Sequence, residues 1–465
     1  MADKTKISEA QQVLQDLQAH FALICVNGKY WGIPVGQTAK DIKAGKPLSF
    51  SPRGDLTLSM TRYLKQHYPG LKPTKVLKQF YIDPATTCHS GIEFNPRGTT
   101  PGYLNLWQGL AITPKEGDWS LIQEFLFKVI CNKDFEAYTY LIRYLAHMLQ
   151  RPWEKPGVII LLIGMQGVGK GTIAYLSRHI WASAFLQVYD MSTVTGTFNA
   201  ALETALVVFL DEAFFVGDRR ASDALKSLIT ESVLVINQKN QPIRQINSCH
   251  RFFIATNADF VKHTDRDDRR DFTLRVSDRW KGNHDKWKAL YREIDNGGAA
   301  AMVYDLLHAD ISDFNVRDKP QTRELLEQKL HSLDPIENWF FDFLNGGYLE
   351  TVPEEPTDLK TGWTEFLSTD SIIGYIKQHT GRKLYKDPTA RDINRLFVKM
   401  CPTAEKVQRS VNGGKRRGFS MPHLKVCREE FESYIGGQID WEVGENEDKN
   451  KDTTEQQEVD DEDPF

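Results

Sequence analysis

The sequence predicts an α/β protein in which a parallel β-sheet is flanked by helices. Three short apolar segments have the length and composition of buried strands; they span residues 158–163, 205–210 and 251–256. Each is followed at once by glycines or polar side chains, and the first leads through a glycine-rich turn into a helix that opens at Lys170. Because the carboxyl ends of parallel strands share one sheet edge, we expect these polar residues to converge there.

The turn after the first strand predicts a phosphate-binding loop. It follows the pattern G-x-x-x-x-G-K from Gly164 to Lys170. Glycines let several backbone N–H groups point at one centre, the helix N-terminus adds partial positive charge there, and the lysine reaches the terminal phosphates. The residues expected to hold ATP are Gly164, Gln166, Gly167, Val168, Gly169, Lys170, Gly171 and Thr172.

One position departs from the usual phosphate-loop pattern and affects the expected Mg²⁺ site. The residue after the lysine, where a Ser or Thr hydroxyl normally binds the metal, is Gly171, and Thr172 follows it. Either Thr172 supplies the hydroxyl in a shifted geometry, or a water takes its place. The sequence leaves both possibilities open.

Polar residues at the ends of the other two strands suit a hydrolytic site. Asp211 and Glu212 follow the second strand, where the first carboxylate suits Mg²⁺ binding and the second suits activation of a water. The alternative is a helix N-cap. Asn257 follows the third strand, where its amide suits hydrogen bonds to the γ-phosphate and the attacking water; otherwise it is a turn former.

A charged turn before the next predicted strand carries two further candidates. Arg269 and Arg270 have the chemistry that stabilises charge on a transferring phosphoryl group, often from a neighbouring subunit. The alternative is a solvated ion-pair cluster with Asp267 and Asp268.

Taken together, these motifs resemble superfamily 3 helicases of the AAA+ class, especially primase-helicase proteins of phages and mobile elements and their poxvirus-type relatives. Gly164–Thr172 resembles their motif A, Phe209–Ala213 their motif B and Phe253–Asn257 their motif C. The resemblance covers about residues 90–335. It implies an ATP- and Mg²⁺-dependent replicative helicase in the bacterial host cytoplasm, expected to form a hexameric ring that moves 3′→5′ on single-stranded or forked DNA.

The resemblance also implies a DNA-contacting β-hairpin between motifs B and C. The matching stretch, Val233–Ile246, has two apolar arms around a polar, basic tip. Lys239 is the residue expected to contact phosphate, with Arg244 second. The alternative for Lys239 is an ordinary exposed hairpin lysine.

Breaks and periodicity predict five regions. They are an N-terminal accessory domain without a predicted role (1–112), a helical collar for oligomerisation (113–155), the motor (156–334), a winged-helix-like domain (335–437) and a disordered acidic tail (438–465). Apolar residues at three- and four-residue steps predict helices over Asp118–Leu149, and Pro152 to Pro156 is expected to link them to the motor. No predicted strand before residue 112 ends in an Asp-x-Asp pair, so primer synthesis is not expected.

The C-terminal region adds two candidate interaction sites. Three helical segments precede a basic hairpin signalled by Asn412-Gly413, and phosphate contacts are expected at its tip from Lys415, Arg416 and Arg417. A solvated basic turn is the alternative. The acidic end Asp460–Phe465 resembles the tip by which bacterial single-stranded-DNA-binding proteins dock partners, so host replication proteins are expected partners unless the tail only solubilises.

Composition agrees with a cytosolic protein, and the charge of its body is compatible with DNA binding without proving it. No segment reaches the roughly 18 consecutive apolar residues of a membrane span, and Met1–Gln18 lacks the apolar stretch of a signal peptide. The six cysteines show no C-x-x-C pair, which predicts reduced thiols rather than a zinc site. Residues 442–465 hold eleven acids and two lysines; removing their net −9 from the total of −4 leaves a body of +5.

Three rival functions have weaker support in the sequence. A nucleoside monophosphate kinase shares Gly-Lys-Gly-Thr, but it lacks the later Asp-Glu and Asn strands. A protein-remodelling AAA+ ATPase needs an aromatic pore loop before its acidic pair, whereas Phe215-Val216-Gly217 comes after it. A DNA-packaging motor needs a cluster of nuclease carboxylates, which the sequence does not contain. Protein remodelling or DNA packaging remains the alternative to unwinding.

Overall fold

The computed structural model describes residues 9–211, 219–257, 270–347, 363, 365–380, 387–411 and 414–441. These residues form two compact units, and the second begins at Arg323. The first unit contains the predicted accessory domain, collar and most of the motor, so the boundaries predicted at 112 and 155 do not separate compact bodies.

The first unit opens with a small mixed region. Its elements are α1 (Glu9–His20), β1 (Phe21–Val26), β2 (Lys29–Pro34), α2 (Val35–Lys43), α3 (Arg53–His67), α4 (Pro73–Ile82), β3 (Cys88–His89), β4 (Gly91–Glu93) and β5 (Tyr103–Asn105). Strand β1 lies between an antiparallel β2 and a parallel β3, while β4 pairs in parallel with β5. The apolar sequence of β1 is buried along nearly its whole length, which fixes it as the central strand.

The helices predicted before the motor are present. Helix α5 (Ser120–Glu124) continues into a π-helical turn (Phe125–Ile130), and α6 (Phe135–Gln150) follows. However, α6 packs directly on the central sheet: the Tyr140 ring lies 4.6 Å from that of Phe272, and the Tyr144 ring 6.4 Å from that of Phe253. The helices predicted as a collar therefore form one layer on the central sheet rather than a body of their own.

The remainder of the first unit contains the predicted parallel sheet. Its elements are β6 (Ile159–Ile163), α7 (Lys170–Trp181), β7 (Phe185–Val188), α8 (Ser192–Thr195), β8 (Val207–Asp211), α9 (Arg219–Thr230), β9 (Val233–Ile236), β10 (Arg244–Asn247), β11 (Arg251–Thr256), β12 (Asp271–Arg275), α10 (His284–Glu293) and α11 (Ala299–His308). Five strands pair in parallel in the order β12-β6-β11-β8-β7, which confirms the α/β class.

Both faces of this sheet are covered, which explains why its strands are continuously apolar rather than alternating. On β6, Ile160 and Leu162 face the core formed with α6 and α7, while Ile159 and Leu161 face the core on the opposite side. Leu225 of α9 belongs to this second core. The sheet is thus the middle layer of three, and its carboxyl edge is left for polar groups.

The proline-flanked segment predicted as a linker is fixed to the sheet. The guanidinium of Arg251, at the start of β11, donates to the carbonyls of Arg151 and Glu154 at 2.9 and 3.0 Å. Burial lowers the pKa of Arg251, and these carbonyls supply acceptors that water would otherwise provide.

The second unit is helical with a small antiparallel sheet. Its elements are α12 (Arg323–His331), α13 (Pro335–Gly346), β13 (Phe366–Ser368), α14 (Thr369–Thr380), α15 (Ala390–Met400), β14 (Glu405–Val411), β15 (Gly414–Ser420) and α16 (Leu424–Ile435). The strand order is β13-β15-β14. The predicted hairpin is confirmed by the pairing of β14 with β15, although Asn412 and Gly413 themselves lie outside the described residues.

Both predicted limits of this unit need correction. Lys329 of α12 donates to the Ile435 carbonyl at 2.8 Å, so the unit includes residues that were assigned to the motor. At the other end, the Trp441 indole donates to Glu432 at 2.8 Å, so packing continues beyond the predicted limit at 437. The rest of the acidic tail, from residue 442, lies outside the described residues.

The described part of the chain also shows the state of the cysteines and the character of the helices. All six cysteines are free thiols, although Cys401 and Cys427, which are 26 positions apart, bring their sulfurs within 3.6 Å in the core of the second unit. None of the helices described has both the length and the apolar character that crossing a bilayer requires.

Candidate functional site

The glycine-rich loop lies at the carboxyl edge of the parallel sheet, between β6 and α7. Its first residue, Gly164, donates its amide to the Thr256 carbonyl at 3.2 Å, which ties the loop to the end of β11. Gly167 and Gly169 have φ angles of 81° and 104°, values that favour glycine. Val168 is buried in the core and anchors the loop, whereas Gln166 and Gly167 are exposed.

Lys170 joins this loop to the neighbouring strand. Its ammonium donates to the carbonyls of Gly164 and Met165 at 2.5 and 2.7 Å, and to Asn257 Oδ1 at 2.7 Å. The side chain is largely buried, so these three acceptors compensate for lost hydration. The predicted convergence of Lys170 and Asn257 is therefore present.

Asp211 is the last residue of β8 and lies at the same edge, one strand beyond Asn257. Strands β8 and β11 are in register, with Asp211 opposite Ala255. Gln187 of β7 donates to the Asp211 carboxylate at 2.9 Å and accepts from Arg178 of α7 at 2.7 Å. This relay orients the carboxylate, and it leaves the second carboxylate oxygen for another ligand.

Aromatic side chains support the loop from behind. A Cβ atom on Gly169 would lie 2.3 Å from the Trp287 ring and 3.1 Å from the Phe125 ring. Trp287 in turn donates its indole N–H to the Trp280 carbonyl at 2.9 Å. The absence of a side chain at Gly169 thus lets α7 begin against a rigid aromatic wall.

Thr172, one of the two candidates for the usual magnesium hydroxyl, is buried. Thr172 is 2% exposed, and its hydroxyl lies 3.0 Å from the Tyr291 hydroxyl of α10. The side chain is therefore engaged in packing between α7 and α10. Gly171, by contrast, is exposed and has open space at its Cβ position.

Arg270 does not join the cluster around Lys170 within one chain. It immediately precedes β12, and its carbonyl accepts from the Ile159 amide at 2.7 Å, at the amino end of β6. Because β6 and β12 are parallel, this is the edge opposite to the glycine-rich loop. Glu212 and Arg269, the other predicted site residues of this region, lie outside the described residues.

The predicted hairpin is present as antiparallel β9 and β10, with Lys239 exposed in the connecting turn. The turn is held to the N-terminal region by two hydrogen bonds: Phe50 N–H donates to Gln241 Oε1 at 2.8 Å, and the Asn27 amide donates to the Ile243 carbonyl at 2.6 Å. The hairpin tip is therefore fastened rather than freely projecting.

Arg244 was predicted to contact DNA, and the structure contradicts this. The side chain is 4% exposed and forms a bidentate ion pair with Glu203, which is completely buried. Its guanidinium also lies 5.0 Å from the centre of the Phe50 ring. Arg244 shares a strand face with buried Ile246, and this alternation was the signal that could have placed it in the core.

The basic residues predicted in the second unit lie on β15 next to its turn. Lys415 and Arg417 are exposed, whereas Arg416, on the other face of the strand, is half-buried. Lys415 and Arg417 are thus the two of this group that present charge to solvent on one face.

Among the described residues, no group of three or more His, Cys, Asp or Glu side chains is arranged as a metal site. A single carboxylate such as Asp211 beside the glycine-rich loop is still compatible with Mg²⁺, which is commonly held by one or two carboxylates together with substrate phosphates.

Comparison with known proteins shows that this chain is similar to a phage replication protein. Residues 162–270, which include the loop, β8 and β11, match a family of unknown function, DUF5906. The chain is 25% identical over 281 residues to the DNA primase-polymerase of Nitratiruptor phage NrS-1, a match that covers 57% of this chain. It covers only 38% of that relative's length.

Solved structures of the C-terminal region of NrS-1 share the fold. Two apo structures of that region superpose with TM-scores of 0.59 and 0.61, each at 18% identity, covering 90% of this chain and 100% of the NrS-1 region. The similarity therefore includes both units and the N-terminal region, in addition to the segment with recognisable motifs.

Sequence reasoning missed the residues that position the site. Gln187 orients Asp211, Tyr291 engages Thr172, and Glu203 holds Arg244. Each contact joins residues at least 24 positions apart in the chain, and no local pattern signals such a pair.

The aromatic side chains behind the loop predict different outcomes for two glycines that are two positions apart. Gly169→Ala is expected to lower the free energy of unfolding by about 1–3 kcal/mol, because alanine is strained at this φ and its methyl meets Trp287. Gly171→Ala, in the helix with open space, is expected to raise it by up to about 1 kcal/mol. Urea unfolding measures both; equal stability of the two variants would contradict the proposed wall.

The buried ion pair predicts a second contrast, within the hairpin. Arg244→Ala is expected to lower the free energy of unfolding by about 3–5 kcal/mol, since it leaves the Glu203 carboxylate buried without its partner. Lys239→Ala is the matched control, and its effect is expected to stay within about 0.5 kcal/mol because the side chain is exposed. Arg244→Ala behaving like Lys239→Ala in chemical unfolding would refute the structural role.

Proposed function

We propose that this protein is an ATP-driven replicative DNA helicase of a phage or mobile element, of the AAA+ superfamily 3 type. The proposal rests on the hydrogen bond between Lys170 and Asn257 at the sheet edge where Asp211 also lies. A phosphate loop alone binds nucleotide; a carboxylate and an amide on the two next strands supply what hydrolysis needs.

In this proposal the loop amides and Lys170 bind the phosphates of ATP. The ammonium now bonded to two loop carbonyls and Asn257 exchanges acceptors for phosphate oxygens when nucleotide binds. Asn257, released from Lys170, is then placed to hydrogen-bond the γ-phosphate and the attacking water. Glu212, next to Asp211 in sequence, is assigned to accept the proton of that water.

Asp211 is assigned to hold Mg²⁺, which supplies charge neutralisation at the phosphates. The Gln187 contact supports this assignment, because it fixes the carboxylate while leaving one of its oxygens available. With Thr172 hydrogen-bonded to Tyr291, a water would supply the oxygen that a Ser or Thr hydroxyl usually provides to the metal.

A ring of several copies, expected to be a hexamer, completes the site. Arg270 lies at the opposite sheet edge from Lys170, so any contact with the γ-phosphate must come from an adjacent copy. This position supports the assignment of Arg269 or Arg270 as the residue that a neighbour contributes.

Single-stranded DNA is the proposed substrate, held by Lys239 and moved 3′→5′. Because Phe50 and Asn27 are hydrogen-bonded to the hairpin, we expect its tip and the N-terminal region to move together during the ATP cycle. In the second unit, the order of helices followed by a β-hairpin supports a winged-helix assignment, with Lys415 and Arg417 on phosphates. The acidic tip at Phe465 is assigned to host replication partners.

The decisive test combines ATP turnover with strand displacement on a forked duplex. Lys239→Ala is expected to keep its ATPase rate within about twofold and to lose unwinding at least about tenfold, because a phosphate contact is removed without disturbing the site. Glu212→Gln is expected to bind ATP yet lose roughly 10²–10⁴-fold in turnover. Lys40→Ala, an exposed lysine on α2, is the control and should behave as wild type.

Wild-type protein that hydrolyses ATP at a rate indifferent to single-stranded DNA, and separates no strands, would refute the helicase proposal. A Lys239→Ala variant that unwinds normally would refute the hairpin assignment alone.

A further inference from the structure

The N-terminal region contains a cleft that the nucleotide site does not use. It has a volume of about 380 Å³ and lies between β2 and the end of α4, with Tyr30, Arg53, Tyr81, Ile82 and Asp83 among its lining residues. This volume is within the range of sites that bind small organic groups. Its rim is unusual in that Tyr30 and Ile82 are 66% and 73% exposed.

One wall of the cleft is a preformed cation–aromatic stack. The Arg53 guanidinium lies 4.6 Å from the centre of the Tyr81 ring. The Tyr81 hydroxyl is fixed by Thr57 at 2.8 Å, so the ring is held in place. No carboxylate of the described residues pairs with Arg53, and its outer face is therefore available to a further planar group.

The chain segment before Arg53 connects the cleft to the hairpin through hydrogen bonds. Ser51 and Gly32 exchange two backbone hydrogen bonds at 2.8 and 2.9 Å, so the segment before Arg53 continues the sheet of β2. Phe50, three residues before Arg53, bonds to Gln241, two residues beyond Lys239. These chain steps span at most about 11 Å and 8 Å, so with the Gln241 side chain between them Arg53 lies within roughly 25 Å of Lys239.

We propose that this cleft binds one base of the single-stranded DNA whose backbone contacts Lys239. The proposal rests on the proposed function and gives the N-terminal region a role within it. Stacking on Tyr30 and on the exposed face of Arg53 tolerates any base, as expected of a protein that moves along DNA.

The Asp83 carboxylate favours a base rather than a phosphate beside it in the cleft. The Ala85 amide donates to the Asp83 carboxylate at 2.8 Å, and this bond lowers the pKa of Asp83. A carboxylate repels phosphate, yet it accepts hydrogen bonds from the N–H groups of bases, which include the exocyclic amino groups and the N3–H of thymine. The cleft therefore takes the base inward while the backbone remains outside, alongside exposed Lys29.

The test uses the full chain and a thymidine oligonucleotide of roughly 20 residues that contains one 2-aminopurine. Tyr30→Ala and Arg53→Ala are each expected to weaken binding roughly 5- to 150-fold and to reduce the quenching of 2-aminopurine fluorescence. Tyr30→Trp retains a ring and should preserve both signals. Phe135→Ala removes an aromatic that is 63% exposed in α6 and should change neither.

Four outcomes separate the proposal from the function on which it rests. Losses in Tyr30→Ala and Arg53→Ala, with Tyr30→Trp and Phe135→Ala unaffected, support the cleft. Unchanged binding in Tyr30→Ala while Lys239→Ala binds more weakly overturns the cleft and leaves the helicase proposal intact. No binding by the wild type overturns both. Intact DNA binding with loss of a protein partner in Tyr30→Ala overturns the base site and assigns the cleft to that partner.

Discussion

The hydrogen bond between Lys170 and Asn257 is the contact on which the candidate site depends. Lys170 opens α7 after the loop that follows β6, and Asn257 directly follows β11. Strands β6 and β11 are adjacent and parallel, and the register of Thr256 against Ile163 brings the segments that follow them to one edge. A buried ammonium requires acceptors, and the loop carbonyls together with this amide provide them. A slip of one residue in the pairing would turn the strand faces over and separate the two groups.

The sequence was sufficient to predict the central sheet and its polar edge, because long apolar segments and glycine-rich turns are local signals. It was insufficient where a side chain is held by a distant partner. The sequence suggests Thr172 as a candidate metal ligand, but in the structure its hydroxyl is hydrogen-bonded to Tyr291. The sequence likewise suggests Arg244 as a DNA contact, but in the structure it forms a buried ion pair with Glu203. Such pairs depend on how helices and hairpins pack, and one sequence does not specify that packing locally.

Domain limits were the least predictable feature. Residues 120–150 have the periodicity of any amphipathic helical pair, and nothing in that pattern reveals that Tyr140 and Tyr144 pack on the sheet. Similarly, the N-terminal region carries no motif, yet Phe50 and Asn27 hold the hairpin turn. The physical consequence is that the glycine-rich loop, the hairpin and the N-terminal region belong to one compact unit.

Nucleotide binding to matched loop variants tests this account most directly. Calorimetric titration with a non-hydrolysable ATP analogue should give one saturable site per chain in the wild type, tighter with Mg²⁺ than without it. Lys170→Ala should abolish binding, and Asp211→Ala should remove the Mg²⁺ dependence while leaving metal-free binding in place. Binding that is unaffected by Lys170→Ala, or that ignores Mg²⁺ in the wild type, would contradict a triphosphate site at this sheet edge.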